Sequence, residues 1–314
     1  MDERLLSICL SHGVFLRSEA ADLGYDDKSV AAAVRSRSWH RVRRGAYVLM
    51  PLWAESTLSQ RHLIHCKAVL RSLGDNVALS HVSAVVARGI ATWGLDLSRV
   101  HVTRLDGGSG RAESDVVHHE GVAIDTDTEP HGGLTVMKAS RAVIETLTGC
   151  DIEQGLVIVD SALHQGILQP EEMLNTFQLM QRWPGIRTVQ VVVRLADGHA
   201  ESPGESRVRY ICWARGLPAP HLQFAVRDEY GALIGITDFA WPEQRLLGEF
   251  DGRVKYGRLL LPGQAPGDVV FAEKVREDLL RETTGFGVVR LTWSDLDDHA
   301  AVARRVARMM RRTD

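Results

Sequence analysis

Cysteine is scarce and scattered in this chain. Its four residues, Cys9, Cys66, Cys150 and Cys212, form no CxxC pair, which argues against a zinc ribbon and fits reduced thiols in a cytoplasm. No run of eighteen apolar residues occurs, so no membrane-spanning helix and no membrane partner are expected. The amino terminus, MDERLLSICLSHG, carries acids and lacks the basic leader and apolar run of a secretory signal; the expectation is a cytoplasmic, unanchored protein. Net charge is small as well, -3 from 37 Lys and Arg against 40 Asp and Glu. So balanced a chain does not advertise a nucleic-acid partner overall, and any basic surface has to be local. What is there is an ordinary globular composition, 45% hydrophobic and 25% charged, in 314 residues. That length allows two or three domains with a real core.

Local charge of one sign is found near the amino end. Leu5, Leu6, Ile8, Cys9 and Leu10 predict a short helix stopping near Gly13, Ser18 can cap a second ended by Gly24, and Asp26 or Asp27 can cap a third, DKSVAAAVRSRSW. RVRRGAYVLM then reads as a strand pair turning at Gly45. Helices followed by a small hairpin predict a winged helix-turn-helix over residues 1–50, whose third helix would enter the major groove of double-stranded DNA. Between Lys28 and Arg44 stand six basic residues, Lys28, Arg35, Arg37, Arg41, Arg43 and Arg44, and no acidic one. Neutralising phosphates requires such a concentration, and Ala31, Ala32 and Ala33 would let the helix approach closely. The alternative is a solvated basic face whose Arg35 and Arg37 complement the helix-end dipole.

Val14 to Leu49, VFLRSEAADLGYDDKSVAAAVRSRSWHRVRRGAYVL, resembles the amino-terminal winged-helix domain of AbiEi-type antitoxins, and RVRRGAYVL is its most telling part. The resemblance implies a DNA-binding antitoxin that represses its own operon, in a toxin-antitoxin or phage-defence setting. Its partner would be a separately encoded nucleotidyltransferase-like toxin.

Residues 51–198 predict a middle α/β segment. Helices are expected over 57–73, 76–94, 139–148, 152–165 and 170–182, and strands over 100–105 and 116–124 around the Gly- and Ser-rich loop DGGSGRAESD. The run VQVVVRL fits a strand by β-branching and a helix by position. Ser80, His81 and Ser83 lack the strand-turn-helix elbow of a nucleophile, so Ser80 reads as a helix cap. His62 with His65, and His118 with His119 and Glu120, lack the HExxH pattern and read as surface histidines.

Residues 199–314 carry a second constellation. Ser202, Pro203 and Glu205 have capping-box spacing at the start of a helix. Strands over 233–241 and 245–251, joined by Pro242, Glu243 and Gln244, predict a hairpin. Alternation places Asp238 beside Glu249 and Asp251 at its end. Three carboxylates there either face water or gather a hard cation such as Mg²⁺.

The pieces ESPGESRVR, GLPAP, TDFAWPEQRLLGEFDG, EKVRED and GFGVVRLTW, in the order helix, three strands, helix, strand, helix, resemble the PD-(D/E)XK restriction-endonuclease fold. More closely, they resemble the small proteins akin to very-short-patch repair endonucleases. The resemblance implies a restriction-endonuclease-like domain in which Asp238 and Glu249 hold Mg²⁺; the capping role suffices to explain Glu205, and a metal role for it is secondary. Asp251 stands where that signature has lysine. Lys255 or Lys274 would then have to supply the cation, and catalysis as a metal-dependent DNA endonuclease is the alternative to DNA binding alone. A third reading makes the carboxyl domain a docking surface for the toxin.

Overall fold

The computed structural model describes residues 2–108, 110–112, 115–120, 125–252 and 266–311, without the side chains of 125, 266–274 and 311. Lys255 and the side chain of Lys274 therefore lie outside the described residues. The class is mixed α/β. Two compact units form, Met1–Asp151 with Ile167–Val193, and Ile152–Gly166 with Arg194–Asp314.

In the first unit, Asp2 caps α1 (Glu3–His12) by accepting the Arg4 amide at 2.9 Å, and Gly13 ends the helix at φ 78°. Strand β1 (Phe15–Leu16), α2 (Arg17–Asp22) and α3 (Asp27–Arg35) follow, with Asp26 accepting the Ser29 amide at 2.8 Å to start α3. The third helix ends at Arg35, earlier than SRSW predicts. Trp39 is needed elsewhere: it opens β2 (Trp39–Arg43), packs edge-on against Phe15 and helps build an aromatic core with Tyr47. β2 pairs antiparallel with β3 (Ala46–Leu49) and β1 joins β3, giving three helices followed by a hairpin.

Helices α4 (Met50–Glu55) and α5 (Leu58–Leu73) follow. Arg71 of α5 ties this region down, donating to the Val14 carbonyl and to Glu19, both at 2.6 Å. A six-stranded sheet then forms from β4 (Val77–Leu79), β5 (Val100–Arg104), β6 (Arg111–Ala112), β7 (Val116–His119), β8 (Thr128–His131) and β9 (Leu134–Met137), in the order β6-β7-β5-β4-β9-β8. The segment predicted as a helix from Asn76 is thus divided. Val77, Ala78 and Leu79 are a buried central strand, and only α6 (His81–Ala87) is helical. A central strand covered on both faces shows a continuous apolar run, which periodicity cannot tell from a buried helix. Helix α7 (Ala139–Leu147) packs on α6; α8 (Ile152–His164) belongs to the second unit; α9 (Pro170–Leu179) returns to the first. VQVVVRL is helical, within α10 (Ile186–Leu195), with Val189 and Val192 buried three apart.

The second unit adds α11 (Pro203–Ala214), β10 (His221–Arg227), β11 (Leu233–Trp241), β12 (Leu246–Asp251), α12 (Pro266–Thr284), β13 (Gly287–Thr292) and α13 (His299–Arg311) to α8. Its sheet runs β10-β11-β12-β13, with antiparallel neighbours except β12 and β13, which are parallel. One sheet face buries Phe239, Trp241, Leu246, Phe250 and Leu291 with Val208 and Ile211 of α11 and Val302 and Val306 of α13. The other buries Ala240, Leu247 and Val288 with Leu280 of α12. Helix α11 approaches so closely that a Cβ on Gly204 would lie 2.0 Å from the Phe250 ring.

Candidate functional site

Three regions carry chemistry, and each is built differently. The first is the outer face of α3. Lys28, Ala31, Ala32 and Arg35 recur at helical spacing and all are exposed, as are Arg37, Arg41 and Arg44 beyond them. Arg43 is set apart. Its side chain is mostly covered and pairs with Asp115 at 3.2 Å, Asp115 lying also 3.3 Å from His65.

The second region is the acid-bearing face of the carboxyl sheet. The register that pairs Phe239 with Gly248 and Ala240 with Leu247 runs on to set Asp238 opposite Glu249. Here the ladder gives way to side chains, and Asp238 accepts the Phe250 amide at 2.7 Å. Glu249, level with Arg290 on β13, meets Arg290 at 3.2 Å and Arg276 of α12 at 2.5 Å; Arg290 also reaches Glu277 at 2.9 Å. Glu205 is buried at the start of α11. It accepts from the Ser202 hydroxyl (2.7 Å), the Glu201 amide (3.0 Å) and Gln223 (3.1 Å), and its own amide donates to Ser202. Burial, reinforced by the nearby Asp238 charge, pushes the Glu205 carboxyl up from its ordinary range. Asp238, Glu249 and Asp251 thus share a sheet face, and Glu205 lies within electrostatic reach of Asp238. Among the described residues they do not bring three ligand atoms together within 4.8 Å. Asp238 and Glu249 each already accept from donors of the same chain.

The third region was not anticipated by spacing. A cavity of about 770 Å³ in the first unit is lined by His81, His101, His119, Glu145, Cys150 and Trp183, among others. Its wall at Arg182–Pro184 is brought in by Gly185, where a Cβ would lie 2.2 Å from the Thr148 carbonyl oxygen. His101 Nδ1 and His119 Nε2 are 3.0 Å apart, and the His81 ring stacks on His119 with centroids 3.6 Å apart. His81 Nδ1 lies 3.1 Å from the Ser80 hydroxyl and 3.6 Å from Glu145. Glu145 is fixed by Arg141 at 2.8 Å, and Arg141 pairs with Asp127 at 2.6 Å. Burial holds all three imidazoles below the usual range, His101 and His119 at about 4 and His81 well down; it lifts the Cys150 thiol to about 12.

Two sequence expectations fail here. Ser80 occupies the position before α6 yet its side chain makes no cap, because it turns to His81 instead. His62 and His118 are interior residues, 2% and 5% exposed. His62 spans the Leu97 carbonyl (2.8 Å) and the Ser83 hydroxyl (2.9 Å), and Ser83 accepts the His101 amide at 2.8 Å. The Ser83 hydroxyl, fully buried, links α5, α6 and β5. The only grouping of three metal-binding side chains with ligand atoms within 4.8 Å, among the described residues, is His81, His101 and His119. Their separation in sequence, on a helix start and two strands, leaves no local signature.

No known family model matches the chain. It is similar to two curated proteins of Mycobacterium tuberculosis, the uncharacterized protein Rv2248 of strain H37Rv and the uncharacterized protein MT2308 of strain CDC 1551. Each is 33% identical over 98 residues, covering 31% of this chain and 36% of the relative. The chain thus matches about a third of the length of these relatives. No helix among the described residues is long and apolar enough to cross a membrane.

Proposed function

We propose that this chain is a double-stranded DNA-binding protein of the antitoxin and autorepressor type, reading DNA with α3 and gripping its backbone with the adjoining hairpin. The observation that carries this reading is the exposed face of α3, where Lys28 and Arg35 flank Ala31 and Ala32 and lead on to Arg37, Arg41 and Arg44. Two small residues between cations let a helix sit deep in a groove while the flanking charges meet phosphates on either side. Arg43 contributes through the fold, since Asp115 holds it.

Titrating labelled duplex with the full chain by fluorescence anisotropy tests the proposal. Binding should weaken steeply with salt, and replacing Arg35, Arg41 and Arg44 by alanine should lower the slope of log affinity against log salt by about 2 to 3, at about 0.9 per phosphate contact. Affinity and slope unchanged in that variant would remove the basis of the reading. The implied toxin is tested by co-expression with the product of a neighbouring gene, which should co-purify.

A second reading, a metal-dependent DNA endonuclease, is favoured by one observation: Glu205 feels the charge of Asp238, which stands opposite Glu249 in a unit ordered helix, three strands, helix, strand, helix. Asp251 in place of lysine and the arginines on Glu249 weigh against it. Nicking of plasmid in Mg²⁺ that is lost in both Asp238→Ala and Glu249→Ala would establish it, and intact plasmid under those conditions would reject it.

A further inference from the structure

His101 and His119 point from the same face of neighbouring parallel strands, because Thr103 is level with His119 and His101 with Val117. The start of α6 delivers His81 to the same place, and the three rings line one side of the cavity. We propose that His81, His101 and His119 bind one divalent transition-metal ion of the zinc class, with a remaining coordination position open to the cavity.

Donor type argues for this class of ion. Three imidazole nitrogens suit zinc, cobalt or iron(II), whereas Mg²⁺ and Ca²⁺ require oxygens. Distance agrees: two nitrogens bound to one tetrahedral zinc at about 2.0–2.1 Å stand roughly 3.3 Å apart, and His101 Nδ1 and His119 Nε2 are 3.0 Å apart. A supporting layer is present: Ser80 and Glu145 face Nδ1 of His81, which leaves Nε2 for the metal, and Arg141 fixes Glu145. Such partners orient a ligating imidazole and raise its basicity. Binding would draw His81 out of its stack on His119 by a side-chain rotation toward the cavity. Three protein ligands leave a fourth position of a tetrahedral ion for water or a small anion. This site is independent of the DNA-binding reading.

The test is a titration of chelator-treated full-length protein with Co²⁺, followed by visible absorption. One equivalent should bind with an intense d–d band, and azide should shift that band by entering the open position. His101→Ala and His119→Ala should each weaken binding by about 100-fold or more, beyond the 10- to 100-fold typical of a supporting residue such as Glu145→Gln. His131→Ala, an exposed histidine outside the cavity, should change nothing. No band with wild-type protein at millimolar Co²⁺, or binding that survives the His101→Ala and His119→Ala double variant, overturns the site. A band indifferent to azide overturns the open position. If the variants do not fold, cobalt-edge X-ray absorption on the wild type decides: imidazole nitrogens in the first shell support the site, and an oxygen-only shell rejects it.

Discussion

The carboxyl sheet and the histidine cavity both gather ionisable side chains, yet they do so in opposite ways. On the sheet, each acid is met by donors from its own chain: Arg276 and Arg290 on Glu249, the Phe250 amide on Asp238, and a hydroxyl, an amide and Gln223 on Glu205. In the cavity, His101 bonds to His119 and His81 to Ser80, with Glu145 3.6 Å from the same His81 nitrogen, and burial holds all three rings below their ordinary range. Capacity to take an ion follows from the type and convergence of the ligand atoms, and counting acids on a hairpin does not measure it.

The sharpest way to break the comparison is to open the ionic network of the second unit where it is most buried. Arg207 is 2% exposed, donates to Glu153 at 2.7 Å and to the Leu296 carbonyl at 2.9 Å. Glu153→Ala would leave that guanidinium buried without its counter-charge and should cost about 3–5 kcal/mol in denaturant unfolding; a loss below 1 kcal/mol would show the network to be ornamental. Next in size, Gly204→Ala drives a methyl into Phe250 and should cost about 1–3 kcal/mol. Because α11 also carries Glu205, the same variant should displace that acid, which amide exchange at Glu201 and Glu205 would detect as lost protection.

A smaller effect concerns pH. Burial depresses the His62 imidazole below its ordinary 6.5. Below that pH the unfolded chain takes up a proton that the folded chain refuses, so stability rises with pH across this window and falls as pH is lowered from 7 to 5. That loss should show in urea unfolding at matched pH values, and His62→Gln should flatten this part of the dependence. Smallest of all, Arg276 is partly exposed, so Arg276→Ala should change stability by no more than about 1 kcal/mol. It is the informative variant for Glu249, since freeing this carboxylate should let Mg²⁺ raise the melting temperature where it does not in the wild type. No Mg²⁺ response in Arg276→Ala combined with Arg290→Ala would show that the arginines are not what keeps the acids from a metal.

Much of the backbone was legible. The hairpin around Pro242–Gln244 lies where alternation and turn chemistry place it, because one face of each strand is apolar and the register is fixed by a short connection. The capping residues Asp26 and Ser202 were readable for the same local reason. What escaped depended on partners remote in sequence. Val77–Leu79 became a strand because β5 and β9 flank it, and β8 and β9, unseen in the sequence, follow from the same sheet. The acids were correctly set on one face, but Arg290 reaches Glu249 only through a parallel pairing across the α12 crossover. The histidine grouping joins α6, β5 and β7, and no window of the sequence contains it.

His81 enters α6 with φ 47°, an angle at which glycine is at ease and histidine is strained. The ring is thus held in place against backbone strain on the order of 1 kcal/mol, which a glycine would relieve only by giving up the ring's packing and its nitrogen. A library at residue 81 screened for retained cobalt should therefore return histidine.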